Sequence, residues 1–111
     1  MAARLARFAA DPLSRVIVAE AGGEVAGLIA THVVPRLEED EPSCRVIAIV
    51  VAGGHRRIGV ATALLAAAET EARAHGSHRL DLSSGDWRAD AHAFYERCGF
   101  ERRAQAFIKR L

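Results

Sequence analysis

Apolar and polar positions divide the chain into alternating helical and extended segments. Residues 2–10 place Leu5, Phe8 and Ala9 at helical spacing, and Asp11-Pro12 ends that run. Two β-rich runs follow, Val16 to Glu20 and Val25 to His32, separated by Gly22-Gly23, a pair of the kind that closes a hairpin. The acidic stretch 35–43 reads as a solvated connector, with a grip on a cationic substrate as its functional alternative. Residues 44–51 are continuously apolar after Arg45, which predicts a central strand covered on both faces.

From Gly59 the period becomes helical. Ala61, Leu64, Leu65, Ala68 and Ala72 share one stripe with Thr70 and Arg73 opposite, predicting a helix over about 58–75 that Gly76 stops. Residues 78–84 set Leu80 and Leu82 against Asp81 and Ser83, as a strand does. Ala91, Phe94, Tyr95 and Cys98 recur at helical spacing before Gly99, and residues 100–111 predict one last strand. Strands interleaved with helices indicate an α/β fold with a mixed sheet. At 111 residues the chain has room for one core, so residues 1–111 are expected to form a single domain.

The net charge of +1 changes this picture little, because any cation effect must then be local. Nucleic acid binding through Arg56, Arg57, Arg102 and Arg103 is disfavoured, since no aromatic platform accompanies them. Every basic residue except Lys109 is arginine, which with the abundant alanine reads as coding bias, although arginine suits phosphate. Cys44 and Cys98 lack metal-ligand spacing and no secretory leader precedes them, so a reduced, cytoplasmic protein is expected. No apolar run approaches the roughly 20 residues that span a bilayer, and no membrane partner is expected. The histidines form no ligand cluster; His75 and His78 lie closest together, at a helix end, and no metal is expected.

The stretch HRRIGVATALL, residues 55–65, carries candidate chemistry. A strand that gives way to the first turn of a long helix leaves backbone N–H groups unpaired, and the helix dipole adds roughly half a positive charge there. Gly59 lets an anion approach the main chain, Ala61 and Thr62 keep the next half-turn clear, and Arg56 and Arg57 would add charge-assisted hydrogen bonds. Neither GxGxxG nor a P-loop lysine is present, so the common nucleotide loops are excluded. A plain solvated turn is the alternative.

Residues 56–61, RRIGVA, resemble the R/Q-x-x-G-x-G/A acetyl-coenzyme A motif of the GNAT superfamily of N-acetyltransferases. Residues 91–100, AHAFYERCGF, resemble that family's A-x-x-F-Y-x-x-x-G-F segment, and the likeness runs from about residue 4 to the C-terminus. The resemblance implies the GNAT-like acyl-CoA N-acyltransferase fold and acetyl transfer from acetyl-CoA to a primary amine of a small molecule or protein. It implies that the backbone of Ile49, Val50 and Val51 pairs with the pantetheine arm. It further implies that Arg56, Arg57, Ile58, Gly59, Val60, Ala61 and Thr62 hold the pyrophosphate of coenzyme A. Tyr95 corresponds to the tyrosine that protonates the departing thiolate, while Phe94 and Cys98 are expected in the core.

The chain also departs from the family pattern. The glutamates that relatives carry fall at Ile47 and Ser83, leaving Asp81, Asp86 and His55 as candidate bases with none assigned. Arg88 replaces an asparagine and either reaches a cofactor phosphate or sits in solvent; Trp87 either lines the acceptor pocket or packs on the surface. The usual first strand and first helix have no counterpart, so an N-terminally shortened fold is expected, with the strand at Val16 to Glu20 as an exposed edge. That edge predicts a homodimer or a shortened version of a longer product. A degenerate module that binds coenzyme A without turnover is the competing function.

Overall fold

The computed structural model describes residues 2–55, 59–83, 89–103, 107 and 109–111. Helix α1 spans Ala2–Ala9, and strands β1 (Ser14–Ala21) and β2 (Glu24–Val34) form the hairpin around Gly22-Gly23. Strand β3 (Ser43–Val51) leads through a single 3-10 turn, Gly53–His55, into helix α2 (Val60–Ala74). Strand β4 (Leu80–Asp81) and helix α3 (Ala89–Arg97) follow. The sheet order is β1-β2-β3-β4, antiparallel across the first two pairs and parallel between β3 and β4.

The stripe on α2 buries Val60, Leu64, Leu65, Ala68 and Ala72, and most of it joins Ala26, Ile29 and Val46 in one core cluster. Full burial contributes roughly 1.5–3 kcal/mol for each leucine or valine, which fixes the helix across the sheet. Gly27 sets how closely α2 approaches. A Cβ there would lie 2.6 Å from the Val50 carbonyl oxygen and 3.2 Å from Val60 Cγ1, so only glycine allows the first turn of α2 to settle beyond the end of β3.

Four expectations are corrected. The apolar run in β3 is covered on one face, not two: α3 packs Phe94, Tyr95 and Cys98 against the same cluster that α2 covers. The outward residues Ile47 and Val50 stay 52% and 56% exposed. The strand expected over 78–84 shrinks to Leu80–Asp81, because the Ser77 hydroxyl accepts from Arg79 N–H at 3.3 Å and holds the entry as a local turn. Buried Ser77 also lies 2.8 Å from the Pro42 carbonyl, tying this turn to the connector before β3. Of the last strand expected over 100–111, residues 100–103, 107 and 109–111 are not in a strand, with Phe107 94% exposed, and residues 104–106 and 108 lie outside the described residues. Helix α2 is also shorter than expected at its start, since Gly59 stands at the position before its first turn and does not belong to it.

Candidate active site

The C-terminal end of β3 and the first turn of α2 both lie against Gly27 of β2. Gly59 adopts φ 83 and ψ 10, a left-handed conformation that glycine enters without steric cost, and no side chain caps the helix there. The Gly59 carbonyl accepts from Ala63 N–H at 3.0 Å, which starts the helical ladder. The N–H groups of Val60, Ala61 and Thr62 precede that ladder, with no capping side chain to occupy them. The Val60 side chain is buried, that of Ala61 is half-buried and that of Thr62 is exposed. Arg56, Arg57, Ile58, Asp86, Trp87 and Arg88 lie outside the described residues.

The edge of β3 is the second component. Ala52 N–H donates to the Ala26 carbonyl at 2.8 Å, so strand alternation turns the N–H and C=O of Val51 and Ile49 away from β2. On that side β4 pairs only with Cys44 and Arg45, and beyond them β3 has no strand partner among the described residues. Val50 is oriented oppositely, its carbonyl facing Gly27 of β2 and its side chain exposed. The ladder between β2 and β3 shifts between Ala30 and Thr31, which pair with Ala48 and Val46. Ile47 is therefore the extra residue of a bulge, a feature that turns local backbone groups out of the ladder. Periodicity gave no signal of it, because Ile47 is as apolar as its neighbours.

Tyr95 lies on α3, half-buried, with ring centroids 5.5 Å from Phe94 and 5.8 Å from Phe100. Among the described residues its hydroxyl makes no hydrogen bond. Phe94 and Cys98 are half-buried, and with Thr62, Leu65 and Ala66 they line a cleft of about 310 Å³ between α2 and α3.

Of the candidate bases, Asp81 is the most engaged. Its carboxylate accepts from the Ser43 hydroxyl and lies 3.9 Å from Arg45 Nε and 3.5 Å from Arg79 Nε. Ser83 is exposed, with its hydroxyl 3.5 Å from Arg45 Nη2, and His55 ends the 3-10 turn. His75 closes α2 by meeting the Glu71 carbonyl at 2.9 Å and Arg15 Nη2 at 3.2 Å, while His78 faces Glu41 at 3.8 Å. Among the described residues no group of three or more His, Cys, Asp or Glu is placed to hold a metal. No helix among them is long and apolar enough to cross a membrane.

Residues 1–100 match the Acetyltransferase (GNAT) family. An aminoalkylphosphonate N-acetyltransferase of Salmonella typhimurium strain LT2 is 35% identical over 101 residues, covering 91% of this chain and 66% of the relative, just short of two thirds of its length. An aminoglycoside acetyltransferase from an uncultured soil metagenomic sample superposes with a TM-score of 0.86 at 22% identity, over 100% of this chain and 74% of the other. AAC(6')-Iy in complex with the bisubstrate analogue CoA-S-monomethyl-acetylneamine gives 0.89 at 18% identity, over 99% and 77%. At these identities the two structures show the fold.

Proposed function

The chain belongs to the GNAT acetyltransferase family, and on that premise we propose that it transfers an acetyl group from acetyl-CoA to a primary amine. The observation that carries this reading is the pairing of an uncapped helix start, at Gly59, with a strand edge left open beyond Arg45. A diphosphate suits the first, being anionic, and an amide-bearing arm suits the second, as an added strand would. When bound, acetyl-CoA supplies the acetyl group in activated form, as a thioester.

The protein's own residues then have separate tasks. The amides of Val60, Ala61 and Thr62 hold the diphosphate, with Arg56, Arg57 and Ile58 flanking it in the sequence, and Arg88, just before α3, reaches a cofactor phosphate. The N–H and C=O groups of Ile49 and Val51 hold the arm, and the bulge at Ile47 presents strand N–H groups near the acceptor. The C–S bond breaks as the C–N bond forms; the amine's proton passes to water, and the sulfur takes a proton from the Tyr95 hydroxyl. General acid or base assistance is each worth typically 10² to 10⁴ in rate, so orientation with one acid is enough for turnover.

The acceptor is a small amine in this proposal, and the protein works in the cytoplasm, where Cys44 and Cys98 stay reduced. The outer edge of β1, which no described strand covers, pairs with a second copy to form a homodimer. Calorimetry with coenzyme A and thiol release across an amine panel test the main reading. Absence of heat on titration removes it. Heat without thiol release for any amine supports a second reading, a module that binds coenzyme A without turnover, favoured by the apolar Ile47 and the non-acidic Ser83.

A further inference from the structure

At the opposite end of β3, a cleft of about 380 Å³ opens between the β2–β3 connector and the start of β4. Three arginines from separate segments line it: Arg36 after β2, Arg45 on β3 and Arg79 just before β4, with Glu38, Ser43 and Asp81. The acids do not consume this charge evenly. Arg36 is held by Glu39 and by the Glu41 carbonyl at 3.2 Å, which fixes it as one wall. Arg45 and Arg79 share the single carboxylate of Asp81, whose hydrogen bond comes from Ser43.

The contacts of Arg45 and Arg79 with Asp81, at 3.9 and 3.5 Å, are charge contacts longer than hydrogen bonds. Among the described residues the Arg45 guanidinium makes one further contact, from Nη2 to the Ser83 hydroxyl at 3.5 Å, and that of Arg79 makes none, on side chains 51% and 56% exposed. Two half-exposed forks set against one carboxylate make a receptor for a tetrahedral oxyanion, which accepts from both at once. The location adds a constraint. Arg45 and Ile47 point to the same uncovered face of the sheet, and residues two apart along a strand are separated by about 7 Å.

We propose that this cleft binds the phosphonate or phosphate group of the acceptor, and that the acceptor is a short amine in which about two or three carbons separate that group from nitrogen. The proposal rests on the acetyl-transfer reading, which places the thioester by the Ile47 bulge. With its oxyanion held by Arg45 and Arg79, such a molecule reaches the bulge with its amine. Asp81 sets the orientation of both guanidiniums and is a positioning residue.

Three arms test this. First, methylphosphonate, which has no amine, is titrated calorimetrically into the full chain with and without coenzyme A; saturable binding is expected, at least tenfold weaker in Arg45→Gln and Arg79→Gln. Second, acetyl transfer to 3-aminopropylphosphonate is compared with transfer to 4-aminobutanoate and to the uncharged 1-aminobutane. The phosphonate is expected to have a kcat/KM at least tenfold above both, and the two variants to raise its KM at least tenfold more than that of the uncharged amine. Third, coenzyme A affinity is measured on every variant and is expected to be unaltered. Arg45→Lys, which keeps the charge but not the fork, is expected to recover part of the binding and controls for misfolding.

Absence of methylphosphonate binding, or equal use of charged and uncharged amines by wild type and variants, overturns the cleft while leaving acetyl transfer intact. A preference for 4-aminobutanoate overturns the phosphonate assignment. Loss of coenzyme A binding in the wild type overturns the parent reading, and the methylphosphonate titration still decides the cleft.

Discussion

The two ends of β3 bind anions, as proposed, by different means. At the C-terminal end the donors are backbone N–H groups fixed by the helix they start, and their direction follows from Gly59 and the α2 ladder. At the N-terminal end the donors are guanidinium side chains brought from positions 36, 45 and 79, and their direction depends on Asp81 and Ser43. A main-chain site tolerates most side-chain replacements but not a blocked approach. A side-chain site fails when any one of its forks is lost. The first therefore suits a constant ligand and the second a variable one.

The sharpest way to break this contrast is at Gly59. Gly59→Glu is expected to abolish coenzyme A binding, by more than 100-fold, because it sets a carboxylate at the anion seat and forces a β-carbon into a left-handed conformation costing roughly 1–2 kcal/mol. Gly59→Asn, which tolerates that conformation, should stay within a few-fold of wild type by the same calorimetry. If the glutamate variant folds and binds normally, the seat is not at α2.

Tyr95→Phe comes next. Loss of its proton is expected to reduce kcat by about 10² or more, with coenzyme A affinity kept. Rapid-quench rates that do not change would take the phenol out of the chemistry and leave it an aromatic packed between Phe94 and Phe100.

Gly27→Ala separates the two ends directly. Its new methyl meets the Val50 carbonyl and Val60, so denaturant unfolding should show a loss of about 1–3 kcal/mol. Coenzyme A affinity should fall as the start of α2 shifts, whereas methylphosphonate affinity holds. Equal losses at both sites would mean that they are mechanically one.

The smallest effect concerns Cys44, the inward neighbour of Arg45. Burial, chiefly, and the charges of Asp81 and Glu71 push its thiol above the ordinary value of 9.0, although Thr31 bonds to it and pulls the other way. A raised value in the folded state means that the unfolded chain loses this proton first. Its contribution to stability is thus complete below pH 9.0 and declines as pH rises above it. Melting temperature followed from pH 7 to 10 should fall in the wild type and fall less in Cys44→Ala. Parallel curves would assign the decline to other groups.

Much of the fold was legible because it is local. The Gly22-Gly23 hairpin, the α2 stripe from Leu64 to Ala72 and the stop at Gly99 each depend on spacings within a few residues. The helix start proposed to seat coenzyme A was legible for the same reason, since Gly59 and the amides that follow it are contiguous. The cleft was not: Arg36, Arg45 and Arg79 are separated by dozens of residues, and each reads alone as an ordinary surface charge. A charged residue opening an otherwise apolar strand, as Arg45 does, was the one available signal. The bulge at Ile47 and the two-residue length of β4 gave no signal either, because ladder register is settled between strands.

By itself the sequence determined the element types up to α3, the glycine-led helix start proposed to seat an anion, and the aromatic hydroxyl on α3. Among the described residues, tertiary structure decided that β3 is covered on a single face, that its outer edge opens beyond Arg45, and that two arginines share one carboxylate. Periodicity encodes what a segment turns inward, whereas the number of helices reaching a given side, and the point at which neighbouring strands part, are set by packing among segments distant in the chain.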